Sequence, residues 1–195
     1  MSARVIPLVR HTPDARTDED VVASCAAGDN AALGELFDRY APAVWRFVTR
    51  FFGTSVDSDD LVQATFIEVW RCAPRFRGAS SVRVWILGVA YNLCRRHVRT
   101  RSRRRAFLDG LALLPSAPER PLDELTHDRR LLARAIDLLH ELSPEHRVAL
   151  MMVDLEGIAS VEAARALGVP TGTFGRRLFE ARRRLRQALA KEEAR

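Results

Sequence analysis

Residues 160–190, SVEAARALGVPTGTFGRRLFEARRRLRQALA, decide how this chain is built. A short helical pattern over 160–167 stops at Gly168, and Pro170 with Thr171 starts a longer one that runs toward residue 190. Two helices separated by Gly168-Val169-Pro170 have helix-turn-helix spacing. The small Ala164 in the first helix and the glycine in the turn let the helices cross closely. On a wheel of ~100° per residue, Phe174, Leu178, Ala181 and Leu185 form the buried stripe. Arg176, Phe179, Glu180 and Arg183 fall on the opposite side. A phenylalanine among charges on a solvated face is costly unless it meets something apolar, such as a thymine methyl. The pattern favours a helix that reads duplex DNA over one that is merely solvated.

Helical signals continue upstream, and no segment shows the sustained alternation of a strand. Ser143-Pro144 is a cap followed by proline at the first helical position, opening a helix over 144–155 that Gly157 ends. Another helix is expected over 122–142. Before it, 106–125 holds Pro115, Pro118 and Pro121 among small and acidic residues, a linker with little regular structure. In the first half, Thr17 caps a helix over 18–27 that Gly28 stops. A longer helix over 29–52 closes at Gly53, with a kink or restart expected at Pro42. Ser58 or Asp57 caps a third helix ending before Pro74. A loop over 74–80 then leads to a fourth helix over 81–100, with an arginine-rich tail to Arg105. The fold expected is all-α: two small helical domains, 17–105 and 126–195, joined by a flexible linker over 106–125.

Charge is segregated rather than mixed. Residues 69–108 hold eleven arginines and no acid, whereas 11–68 hold eleven acids against four arginines. Residues 163–195 carry nine basic residues against three acids, so the chain offers two separate basic blocks to polyanions. On the fourth helix Val82, Ile86, Val89 and Leu93 form an inner stripe. A second stripe holds Trp85, Asn92 and Arg96, with Arg99 beside it. A ring for stacking, an amide for a base edge and guanidinium groups for phosphates suit unpaired nucleic acid. A tryptophan packed in the core beside a solvated basic tail explains the same pattern equally well. On the third helix Leu61, Val62, Thr65 and Val69 face inward, while Asp60, Gln63, Ile67 and Trp70 share a mixed stripe. That stripe suits docking of a partner's helix, or else burial of Ile67 and Trp70 beneath neighbouring helices.

These pieces in this order resemble the extracytoplasmic-function (ECF) sigma factors of bacterial RNA polymerase. The resemblance rests on DDLVQ at 59–63 with Phe66 and VWR at 69–71, then FRG at 76–78 with Trp85 and NLC at 92–94. In the second half it rests on LSPE at 142–145, DLEG at 154–157, Gly172-Thr173, Arg177-Leu178 and Ala181-Arg182. It covers residues from about 18 to 190, nearly the whole chain. The resemblance implies a dissociable promoter-specificity subunit. Its first domain would dock on the β′ clamp helices of core polymerase through Asp60, Gln63, Ile67 and Trp70. The same domain would capture the melted −10 element with Phe76, Arg77, Gly78, Ser80, Trp85, Asn92, Arg96 and Arg99. The second domain would sit on the β flap and read the −35 duplex with Thr171, Thr173, Arg176, Arg177, Phe179, Glu180 and Arg183. Family members are commonly held inactive by an anti-sigma factor. Gly175 stands where members usually carry lysine or arginine, Ala64 replaces a usual glutamate, and Ser160 a usual aromatic.

Other classes fit less well. A helix-turn-helix regulator acting without polymerase would have a ligand pocket and no need for an exposed aromatic stripe. Catalysis is not expected, because no glycine-rich phosphate loop or nucleophile–base pair appears. Cys94 and His97 make only half a metal site, so no metal or cofactor is expected. Charges interrupt every hydrophobic stretch, the N-terminal residues lack a signal-peptide core, and Cys25, Cys72 and Cys94 lie far apart. A cytoplasmic protein is expected, with reduced thiols. Apolar residues at 47% against 29% charged leave ample material for a core.

Overall fold

A computed structural model of the chain describes residues 16–53, 58–109 and 137–193, and every regular element among them is helical. Helix α1 (Asp18–Ala26) starts from a reciprocal box in which Thr17 Oγ1 accepts from the Asp20 backbone N–H and Asp20 accepts from that of Thr17. It stops at Gly28, whose φ of 93° suits glycine. Helix α2 (Asn30–Phe52) is capped by Asp29 and closed by Gly53. Asp18 joins these two helices, receiving Arg39 and the Tyr40 hydroxyl.

The break expected at Pro42 does not occur; α2 runs through it. Pro42 lies on the exposed side, where water can satisfy the carbonyl that loses its partner. Buried Leu36, Val44, Phe47 and Val48 pin the helix on either side. Helix α3 (Ser58–Cys72) passes into a short 3-10 turn, Ala73–Arg75, and then a loop. Helix α4 spans Val82–Asp109, so the first four residues of the expected linker are helical. The rest of that linker lies outside the described residues, as does most of the expected helix over 122–142. Residues 137–141 of the latter are helical and are called α5.

In the second half α6 (Pro144–Leu150) carries proline in its first turn, as its sequence suggests. Ser143 does not cap through its side chain; its Oγ instead meets His146 Nδ1 at 2.8 Å. The expected helix over 144–155 is α-helical only to Leu150, then widens into a π turn over Met151–Leu155. Helix α7 (Ser160–Ala166), Gly168 at φ 65° and α8 (Thr171–Glu193) complete the expected helix-turn-helix. Ala164 is fully buried at the crossing, and the Val169 N–H bonds to its carbonyl at 3.0 Å.

The core explains why these helices stay together. Phe47, Phe51 and Leu36 of α2, Phe66 and Val69 of α3 and Ile86 and Leu87 of α4 pack with Val21 and Val22 of α1. Each large side chain so buried contributes roughly 2–3 kcal/mol. The same apolar cluster continues into the second half through Met151, Met152, Ala163, Ala164, Phe174 and Leu178. The two helical domains therefore rest directly on one another. Gly88 of α4 and Ala166 of α7 mark the closest approach: a Cβ at 88 would lie 2.7 Å from the Ala166 carbonyl oxygen.

Candidate nucleic-acid interface

Helix α8 sorts its residues as the wheel requires. Phe174, Leu178 and Ala181 are buried and Leu185 packs against the cluster that Ala181 shares with Leu139, Leu142 and Leu150, while Arg176, Phe179 and Arg183 are exposed. Phe179 is the most exposed large apolar side chain among the described residues, at 63%. Glu180 lies within the same face, bonded to Arg183 at 2.7 Å and Arg184 at 2.9 Å. Those two guanidinium groups pull its carboxyl down to about 2, so it is a permanent hydrogen-bond acceptor. An acceptor beside an arginine and an aromatic matches the donors and methyl groups of major-groove base edges. Thr171 is exposed at the helix start, while Thr173 is half-buried. Arg177 departs from the group: it is half-buried, and its charge acts on Tyr91 of α4.

The residues expected at the −10 element cluster at the start of α4 and along it. Gly78, at φ 65°, makes the turn, and Arg77 Nη1 donates to the Pro74 carbonyl at 3.2 Å. Ser80 and Asn92 are half-buried, Arg96 and Arg99 exposed. Trp85 is not the free platform the sequence suggests. It is half-buried against the core, with the Phe76 ring 4.9 Å away at 44°. The two rings act as one unit, and much of the indole is already engaged in packing. Cys94 is fully buried, and burial pushes its thiol up to about 12. Among the described residues no three potential ligands gather where a metal ion could sit.

On α3, Asp60, Gln63 and Ile67 are exposed, whereas Trp70 is half-buried against the core and does not share their exposure. The exposed surface extends instead onto α2, in residues that the wheel of α3 alone misses. Phe37 lies 4.9 Å from the Phe66 ring, and the Trp45 indole N–H donates to Asp59 at 3.1 Å. Phe37 and Trp45 are both exposed although each follows a buried position by one residue. A large aromatic just off the buried stripe was the available signal.

A half with a mixed apolar–acidic surface and an arginine-rich helix, followed by a helix-turn-helix with outward arginine, phenylalanine and glutamate, is the two-part arrangement of a sigma-70 protein. Residues 36–104 match the family model for Sigma-70 region 2, and residues 132–185 match that for Sigma-70 region 4. The ECF RNA polymerase sigma factor SigE of Mycolicibacterium smegmatis is 34% identical over 174 residues, covering 87% of this chain and 67% of that protein. A sigma-C factor of Mycobacterium bovis is 33% identical over 177 residues, covering 88% and 92%. Among solved structures, the sigma factor RpoE of Bartonella quintana in complex with the anti-sigma factor NepR has a TM-score of 0.63 at 25% identity. It covers 80% of this chain and 96% of that one. CnrH in complex with the cytosolic domain of CnrY shares the fold, with a TM-score of 0.63 at 24% identity, covering 89% and 97%.

The chain belongs to the extracytoplasmic-function sigma factors. It is an alternative sigma factor, a DNA-binding protein that directs transcription initiation with core RNA polymerase at promoter DNA.

Proposed function

We propose a division of labour between the two halves. Asp60, Gln63 and Ile67 of α3, extended by Phe37 and Trp45 of α2, form the surface that docks on the β′ clamp helices. The Phe76–Trp85 ring pair, the turn at Gly78 with Arg77 and Ser80, and Asn92, Arg96 and Arg99 hold the unpaired −10 strand. Thr171, Arg176, Phe179, Glu180 and Arg183 enter the −35 major groove, with Thr173 and Arg177 supporting the helix from its half-buried side. The first domain runs from 17 to the end of α4 at 109 and the second over 126–195, with 110–125 as the connection.

The observation that carries this reading is the outward Arg176–Phe179–Glu180 face on a well-packed helix-turn-helix, paired with a separate basic helix that bears an amide and an indole ring, the latter beside the Phe76 ring of the preceding loop. The first presents contacts for base edges in intact duplex, the second for bases that have left it. The protein is a binding subunit and not an enzyme: it positions polymerase, which supplies the chemistry. Its place of work is the cytoplasm, where polymerase and promoter DNA are. No helix among the described residues is long and apolar enough to cross a membrane. Two structures of similar fold are complexes, one of a sigma factor with an anti-sigma factor and the other of CnrH with a cytosolic domain. An anti-sigma partner for this chain follows by analogy.

Competition for core polymerase tests the docking surface. Asp60→Ala with Gln63→Ala should weaken binding by ~1–2 kcal/mol or more while the fold survives, because interface centres carry most of the affinity. Unchanged competition by this variant against a second sigma factor would move the docking surface elsewhere, and failure of the wild-type chain to bind core polymerase would favour a regulator that works without it.

A further inference from the structure

Helix α8 carries its outward arginines in two different states. Arg176 forms no hydrogen bond or ion pair among the described residues. Arg183 and Arg184, further along the helix, are both held by Glu180. The Arg183 fork closes on the carboxylate, Nε to Oε2 at 2.9 Å and Nη2 to Oε1 at 2.7 Å. Arg184 Nε donates to Oε1 at 2.9 Å. Arg183 Nη1 reaches Gln187 Oε1 at 3.4 Å, so every nitrogen of that guanidinium is engaged. The remaining member of the run, Arg182, is taken by Asp154.

Glu180 has arginines within one turn on either side, Arg176 before it and Arg183 with Arg184 after it. A carboxylate N-terminal to its cation is the better helical arrangement, which explains why Glu180 turns toward the C-terminal pair and leaves Arg176 free. Such pairs on an exposed face add little to stability. Their effect on DNA binding is larger. A carboxylate on a groove-facing helix repels phosphate and cancels part of the charge on which non-specific duplex binding depends. It is also the group that accepts a hydrogen bond from an exocyclic amine in the major groove. To reach a base edge it must swing off its own helix, and that breaks the fork with Arg183.

We propose that Glu180 is a specificity switch within the −35 face. It holds Arg183 and Arg184 off the phosphates until an exocyclic amine of cytosine or adenine takes its carboxylate, and the released guanidinium groups then bind the DNA backbone. The inference deepens the −35 reading given above and rests on it. With guanine or thymine at that position a carbonyl oxygen faces the carboxylate, the arginines stay paired, and the backbone contacts are not made. Glu180 thus acts as a positioning residue for two arginines as well as an acceptor, and base reading is coupled to phosphate binding.

The test compares the full chain as wild type, Glu180→Ala, Glu180→Gln and Arg176→Ala by fluorescence anisotropy over a range of salt. The probes are a fluorescein-labelled duplex pool of degenerate sequence and duplexes selected from that pool by the wild type. Wild type should show a steeper salt slope on selected duplex than on the pool, by up to ~1.8 at ~0.9 for each released arginine. Glu180→Ala should bind the pool roughly tenfold more tightly at low salt, with slopes that no longer differ and no preference left for an amine-bearing base. Glu180→Gln frees the same arginines but keeps a carbonyl acceptor, so it should share the tighter pool binding and retain part of the base preference. Circular dichroism melts of the variants should coincide, since no buried side chain is altered. Unchanged or lower pool affinity in Glu180→Ala would overturn the switch, because Glu180 would then only brace the helix face. So would a wild-type slope that is the same on both DNAs. Arg176→Ala scores the face itself: weaker binding to both DNAs supports it, whereas binding like wild type counts against α8 as the reading helix. Wild type that binds no duplex even at low salt would overturn both.

Discussion

Replacing Arg147 with leucine should cost far more than losing an ordinary charge. The guanidinium donates to four carbonyl oxygens: Leu139 at 2.9 Å, His140 at 2.5 Å, Leu142 at 3.0 Å and Phe51 at 2.5 Å. It also lies over the Phe51 ring, 5.0 Å from its centroid. The first three acceptors end α5 and lead into α6, so one side chain satisfies the corner, and the fourth ties that corner to the end of α2. A hydrogen bond from a charged donor contributes ~1.5–3 kcal/mol, and four added together would rival the whole stability of a typical domain. Two effects reduce the sum. Water can replace part of the hydrogen bonding at the corner, and removing the cation also removes its desolvation cost, which holds the Arg147 pKa below its usual value. Leucine keeps some packing on Phe51. A net loss of about 3 kcal/mol is expected, or ~6–12 °C in melting temperature for a chain of this size. Arg147→Lys should recover only part of it, because an ammonium lacks the planar fork that reaches several carbonyls. Urea unfolding followed by circular dichroism gives the number. A loss below ~1 kcal/mol for Arg147→Leu would show that these carbonyls do not depend on the guanidinium.

Other expectations follow from single sites. Phe179→Ala should leave stability within ~0.5 kcal/mol, because the ring is exposed, yet weaken −35 duplex binding by ~1 kcal/mol. Equal loss of stability and affinity in a melt and a footprint would place the ring in the core. Acid should destabilise the fold. Burial first, then Arg147, holds His140 below its ordinary 6.5, opposed by its bond to the Arg50 carbonyl and by Asp137. Burial and Arg184 do the same to His146, opposed by Glu180 and Glu145, with Arg177 adding to the lowering. The unfolded chain therefore binds more protons than the folded one. Stability is full above about pH 6.5, falls as pH drops toward the lowered values, and levels off below them. His140→Gln should flatten that slope in urea titrations at several pH values, and an unaltered slope would exclude His140 as its source.

The helices were legible where punctuation was strong. Thr17, Gly28, Gly53, Gly168 and the Ser143-Pro144 pair mark ends that the structure keeps to within a residue or two. Pro42 misled because its cost depends on which side of the helix it lies, and the exposed side tolerates it. The π turn at Met151–Leu155 has no sequence signal in its local periodicity. At the interface, the outward face of α8 followed directly from the wheel. Trp85 and Trp70 could not be settled that way, since whether a ring on a second stripe is free depends on what packs over it. Phe76 and the core answer that for Trp85, and the core does so for Trp70. The contacts of Glu156 with Arg50 and Arg83, and of Glu162 with Ser81, join residues 73 to 106 positions apart. No local pattern records them.

The most direct test of the account is open-complex footprinting with core polymerase on a selected promoter, using Asn92→Ala and Arg176→Ala. Each footprint is paired with single-strand −10 and duplex −35 binding. Asn92→Ala should reduce melting at −10 and single-strand binding while leaving −35 protection in place. Arg176→Ala should weaken −35 duplex binding and alter its base preference; a phosphate-only contact would instead weaken all sequences alike and lower the salt slope by ~0.9. If Asn92→Ala abolished −35 protection and left single-strand binding untouched, the assignment of the two DNA states to the two halves would be wrong.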